Sequence, residues 1–123
     1  NFANRFLGGT SAIDYPGQDG TFGNISAIDG TNALRIPSSR VDNTRYLLSV
    51  LGIGASGAIY RNGSLGVSGT LNSMSFNEIG DRSATANINF AGTAQEIVLY
   101  GTDQSSNRSG IETNMNDFYS IYP

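Results

Sequence analysis

Cysteine, histidine, tryptophan and lysine are all absent from the chain. Without Cys there is no disulfide framework, and without Cys or His there is no thiolate or imidazole to hold a metal. A Ser-His-Asp triad is excluded, and so is a Lys or Cys nucleophile. Positive charge rests on seven Arg, scattered along the sequence against ten acidic residues, for a net charge of −3. Nucleic acid binding requires clustered cations facing phosphates, so nucleic acid is not expected as a partner. Long apolar runs are missing too. None approaches the ~20 residues that a membrane-spanning helix needs, so no membrane insertion is expected.

Charged residues make up only 14% of the chain, so its polarity rests on Asn, Ser, Thr and Gly. At 123 residues it is long enough for a single domain, 1–123, with one modest core. It starts at Asn1 with no signal-peptide pattern and reads as processed or excerpted from a longer product. Three Asn-x-Ser sequons begin at Asn24, Asn62 and Asn107; in so Asn- and Ser-rich a sequence they are readily chance, and they matter only in a eukaryotic secretory setting.

Sixteen Gly separate short apolar runs, the pattern of an all-β meander. Strands are expected over 1–7, 10–15, 22–28 and 32–36, with a loop at Tyr15–Gly20 and a tight hairpin turn at Asp29-Gly30. The run 45–53 is the most apolar. Apolar residues alternate onto both of its faces, which predicts a central strand covered by the second sheet on one side and a helix on the other. Strands 58–61 and 64–68 flank Asn62-Gly63, the strongest hairpin signal in the chain, predicted to be a two-residue turn with both φ angles positive. Further strands are expected at 73–79, 87–90 and 95–100. One helix follows. Ile111, Met115, Phe118 and Tyr122 recur at helical spacing and predict a stripe buried on a sheet. Asp103 or Ser105 is the expected N-cap, and Ser109 with Glu112 fits a capping box one turn further in.

Three pieces in order carry a family resemblance: RYLLSVL at 45–51 with AIYRNG at 58–63, FNEIGDR at 76–82, and FAGTAQEIVLY at 90–100 followed by the helix. Together they resemble the carboxyl-terminal part of concanavalin A-like lectin/glucanase domains, also called LamG-like jelly rolls. The resemblance implies an all-β, antiparallel jelly-roll sandwich with one short C-terminal helix. It also implies a lectin-like surface module of the kind seen on bacteriophage virions and in secreted bacterial proteins. The expected partners are then a glycan or other virion or surface proteins, and the location extracellular or on a virion. A purely structural assembly subunit is the alternative. The acidic motif of the family's glucanase branch is absent, which implies a non-enzymatic member. The sequence reading yields roughly eight or nine strands, fewer than the family sandwich uses, so amino-terminal strands are expected from upstream sequence or from a neighbouring subunit. A smaller self-sufficient jelly roll is the competing expectation.

Residue chemistry agrees with a non-enzyme. Glycoside hydrolysis needs two carboxylates flanking a cleft, and Glu78 with Asp81 come nearest to a pair, across a strand end and a loop. No cofactor is expected. Calcium is the metal best matched to Asp14, Asp19, Asp29 and Asp81, yet none of these forms an EF-hand pattern, and loop Asp residues commonly cap their own turns. Sugar binding joins an exposed aromatic ring to planar polar groups. Tyr15 beside Asp19 is the first candidate for this role and Asp81 with Arg82 the second, against the plainer reading of a loop plug and a solvated ion pair. Tyr46, Tyr60, Phe76, Phe90 and Tyr100 sit on strand patterns and are expected in the core; Glu96 is expected to be structural.

Overall fold

A computed structural model of the chain describes residues 5–8, 12–17, 24–37, 44–80 and 92–123. Two antiparallel sheets and one short C-terminal helix account for its regular structure. In chain order the strands are β1 (Arg5–Gly8), β2 (Ala12–Gly17), β3 (Asn24–Ile28), β4 (Ala33–Ile36), β5 (Leu48–Ile53), β6 (Ser56–Arg61), β7 (Ser64–Gly69) and β8 (Glu78–Ile79); the helix, α1, is Arg108–Tyr119. The first sheet has the order β4-β3-β2-β1-β8, so the chain returns to it after building the second, β5-β6-β7.

The core lies where β3 and β4 face the three-stranded sheet. Ile25, Ala27, Leu34, Ile59 and Leu71 form a buried cluster, with Leu48, Val50 and Val67 packed against it. Each set follows the alternation of a strand: Ile25 and Ala27 are two apart on β3, Leu48 and Val50 on β5. Glycine has an unexpected role here. Gly52, Gly57 and Gly69 are cross-strand partners in one row of the second sheet. That row leaves bare backbone, and three apolar side chains lie on it: Met74 at Gly52, Leu71 at Gly57 and Leu34 at Gly69. Glycines expected to mark turns thus make a close approach in mid-strand.

The hairpin at Asn62-Gly63 is as expected, with φ of 51° and 77° and Arg61 paired to Ser64. Asn62 also ties the turn to the chain before β5. Its N–H donates to the Leu47 carbonyl at 2.9 Å, and its Oδ1 accepts from the Leu47 N–H at 2.9 Å.

Several expectations need correction. Strand β2 continues through Tyr15 and Pro16 to Gly17, so the loop starts later; a shift in pairing between Asp14 and Gly17 accommodates the proline, which has no N–H to donate. The loop between β3 and β4 spans four residues rather than two, because Ile28 pairs with Ala33. Strand β5 lies at an edge of its sheet, with β6 in the centre; its apolar alternation reflects half-burial along most of its length. Of the strand expected at 73–79 only Glu78–Ile79 is paired, although Leu71, Met74 and Phe76 are buried or half-buried. Residues 95–100 belong to no strand among the described residues, and Val98, Leu99 and Tyr100 are exposed. The strand expected at 87–90 lies outside the described residues, as does Phe90.

The helix is where expected, but it turns a different face inward. Glu112 is its buried residue, while Phe118 is 80% exposed. The inward face runs through Arg108, Glu112, Met115 and Tyr119, about 60° round from the stripe that apolarity alone picks out. Arg108 decides this. Its guanidinium lies 3.7 Å from the ring centre of Tyr60 on β6 and also pairs with Glu112, one turn on. Neither expected N-cap holds. Asn107 precedes the helix without a side-chain cap, Asp103 closes a turn upstream by accepting from the Ser105 N–H at 2.7 Å, and Glu112 pairs with Arg108 instead of reaching back to Ser109.

Candidate functional site

The sequence candidates for sugar binding are not brought together in the described structure. Tyr15 lies within β2, where only its backbone is described; Asp19, Asp81 and Arg82 fall outside the described residues. Asp14 is placed by its backbone, opposite Arg5 on one side and Ser26 on the other.

Asp29 shows what one of the calcium candidates does. Its Oδ1 accepts from the N–H groups of Thr31 and Asn32 at 2.8 and 2.7 Å. Its Oδ2 accepts from Asn32 Nδ2 at 2.9 Å and from the Asn72 N–H at 2.6 Å. Both oxygens are committed to donors, which stabilise the ionised form. The Asn32 side chain contributes most, with the backbone amides behind it, and they hold the carboxyl well below its usual 3.8. Asp29 therefore closes the β3–β4 loop and pins the 70–74 segment to it. No group of three or more His, Cys, Asp or Glu suited to a metal occurs among the described residues.

The chemically richest concavity is elsewhere, in a groove of about 580 Å³ between residues 96–100 and the first half of α1. Its size falls within the roughly 300–1,000 Å³ of small-molecule sites. The extended chain forms one wall by simple alternation: Glu96, Val98 and Tyr100 point into the groove. A compact loop then reverses direction. Gln104 donates to Thr102 Oγ1 at 3.0 Å, and its own Oε1 accepts from Asn107 Nδ2 at 2.9 Å. The helix supplies the other part of the lining, apolar at Ile111 and Met115 and polar at Ser109 and Asn114.

The groove's electrostatics are simple. Glu96 is the one charged residue lining it among the described residues. Across the wall Glu96 meets Tyr119: burial first, then the charge and hydrogen bond of Glu96, raise the phenol above its usual 10.0. The nearest cation in sequence, Arg108, is committed to Tyr60 and Glu112. Tyr100, also part of the lining, is 53% exposed.

No family model, curated protein or solved structure matches the chain. Its site must be argued from the groove itself.

Sequence reading missed this site for a definable reason. Residues 97–100 are four apolar residues in a row, the mark of a buried strand, and Tyr100 was expected in the core with them. The warning signal was Glu96, which shares the face of Val98 and Tyr100 by period two. A carboxylate at the end of that face points to water. The sequons also separate in the structure: Asn24 is 4% exposed and closed to modification in the folded chain, whereas Asn107 lines the groove and is exposed.

Proposed function

We propose that this chain is a non-enzymatic, lectin-like surface module of the concanavalin-like jelly-roll type that binds glycans on a virion, a phage tail or another extracellular surface. One observation carries the reading. Tyr100 is 53% exposed and lines a groove together with Asn and Ser side chains and the apolar Ile111 and Met115. An aromatic face stacks on the C–H face of a sugar ring, while amides and hydroxyls satisfy its hydroxyl groups. The facing of two antiparallel sheets, and the return of β8 to the edge of β1, support the jelly-roll part of the proposal.

The non-enzymatic part rests on the same groove. Among the described residues Glu96 is the one carboxylate lining it, and hydrolysis of a glycosidic bond uses two. No helix among the described residues is long and apolar enough to cross a membrane.

A second reading has its own support. Leu99 and Phe118 are 61% and 80% exposed, as expected of an assembly surface on a structural subunit without a ligand. A glycan array probed with the full chain separates the two. Binding that is lost in Tyr100→Ala, with folding retained by circular dichroism, supports the lectin reading. An array blank across neutral, amino and acidic sugars refutes it and leaves the assembly subunit.

A further inference from the structure

We infer that the groove selects a neutral saccharide carrying an N-acetyl group, of the N-acetylhexosamine class, over both acidic sugars and plain hexoses. This rests on the glycan-binding reading and specifies its ligand.

Acidic sugars are disfavoured by charge. A sialic acid, uronate or sulfated sugar would place an anion beside Glu96, and the lining offers no cation among the described residues to offset it. Arg108 is not available for that purpose without cost. Swinging it out would strip Glu112, whose side chain is 4% exposed, of its ion-pair partner, and Glu112 Oε1 already lacks a hydrogen-bond partner.

Plain hexoses are disfavoured by the aliphatic part of the lining. Every substituent of a hexose apart from its ring C–H face is a hydroxyl or hydroxymethyl, which suits the Tyr100 ring and the Asn and Ser side chains. It leaves Val98, Ile111 and Met115 against polar groups. An acetamido group matches this lining better. Its methyl can cover an aliphatic side chain, its carbonyl can accept from an Asn114 amide, and its N–H can donate toward the Glu96 carboxylate. Aromatic ring, aliphatic side chains, amide and carboxylate thus line one groove, the set of groups an acetamido sugar uses.

The test is titration of the full chain, by calorimetry and by methyl NMR, with four trisaccharides: triacetylchitotriose, its deacetylated form, cellotriose and sialyllactose. The acetylated trimer should bind and shift the Met115 methyl resonance. One missing alkyl contact in such a pocket weakens binding roughly tenfold or more, and cellotriose should show at least that loss; sialyllactose should not bind. Tyr100→Ala should abolish the interaction, and Met115→Ser should remove the preference for the acetylated trimer over cellotriose while retaining weak binding. Equal or tighter binding of cellotriose, of the deacetylated cation or of sialyllactose overturns the acetamido inference and leaves glycan binding intact. No binding by any of the four, joined to a blank array, overturns both.

Discussion

Adding one methyl group in the row of cross-strand glycines should cost this protein a sizeable part of its stability. In Gly57→Ala the new Cβ falls on the Leu71 Cβ, and lies 3.0 Å from the Leu51 carbonyl oxygen and 3.2 Å from Leu71 Cδ2. A Cβ is fixed to its backbone, so no rotamer change of Leu71 relieves the overlap. The 70–72 segment must move away, which pulls the Asn72 N–H off Asp29 Oδ2, now 2.6 Å away. Overpacking of this kind costs typically 1–3 kcal/mol, and the backbone contact places it near the upper end. Replacing a strand glycine restores about 0.5–1 kcal/mol of chain entropy. The net loss is then about 2 kcal/mol, or a fall in Tm of roughly 8 °C for a domain of this size. Urea unfolding followed by far-UV circular dichroism should show a lower midpoint with an unchanged slope. A Leu71→Gly background, which removes the opposing Cβ, should make the same Gly57→Ala change nearly neutral. A neutral Gly57→Ala, or the same cost in both backgrounds, would refute the close-approach argument.

The Asp29 carboxyl is held below its usual value of 3.8, so its stabilising contribution is complete above that pH and fades as the pH falls below about 4; Asp29→Asn should be less stable than the parent at pH 7, with the gap closing in acid melts. Arg108→Ala should cost on the order of 3 kcal/mol by urea titration, because Glu112 is left buried without its cation, and most of that loss should be recovered in Arg108→Ala with Glu112→Leu. Phe118→Ala should change stability by no more than about 0.5 kcal/mol, since the ring is 80% exposed; a loss of several kcal/mol would show that the helix buries its apolar stripe after all.

Local signals were legible where backbone conformation is decided by one or two residues. Asn62-Gly63 specifies a turn with two positive φ angles, and that turn is present at the expected register. The helix was legible as a helix because its extent depends on local periodicity. Its orientation was not. Apolar spacing points to Phe118, but the inward face is set by a cation over Tyr60, nearly fifty residues away in sequence, together with a carboxylate that the cation draws inward. Long polar side chains that bury their stems defeat a simple apolar count. The glycines show the same limit from the other side. Their frequency suggested turns, but at Gly52, Gly57 and Gly69 what matters is a cross-strand row, and strand pairing over such distances is not written in any local window.

The groove beside α1 depends on the same long-range arrangement. A run of four apolar residues from Ile97 to Tyr100 would be a buried strand if it had a ladder partner, and sequence gives no means of testing for one. Among the described residues the run joins no ladder, Leu99 is exposed and Tyr100 lines the groove beside α1. That single difference turns a tyrosine expected in the core into an exposed one. Tyr15 reads as a loop residue in the sequence because it precedes a Pro-Gly pair, whereas β2 runs through it to Gly17. Choosing a sugar-binding aromatic from sequence requires knowing which strands pair, because pairing decides which ring faces are left open.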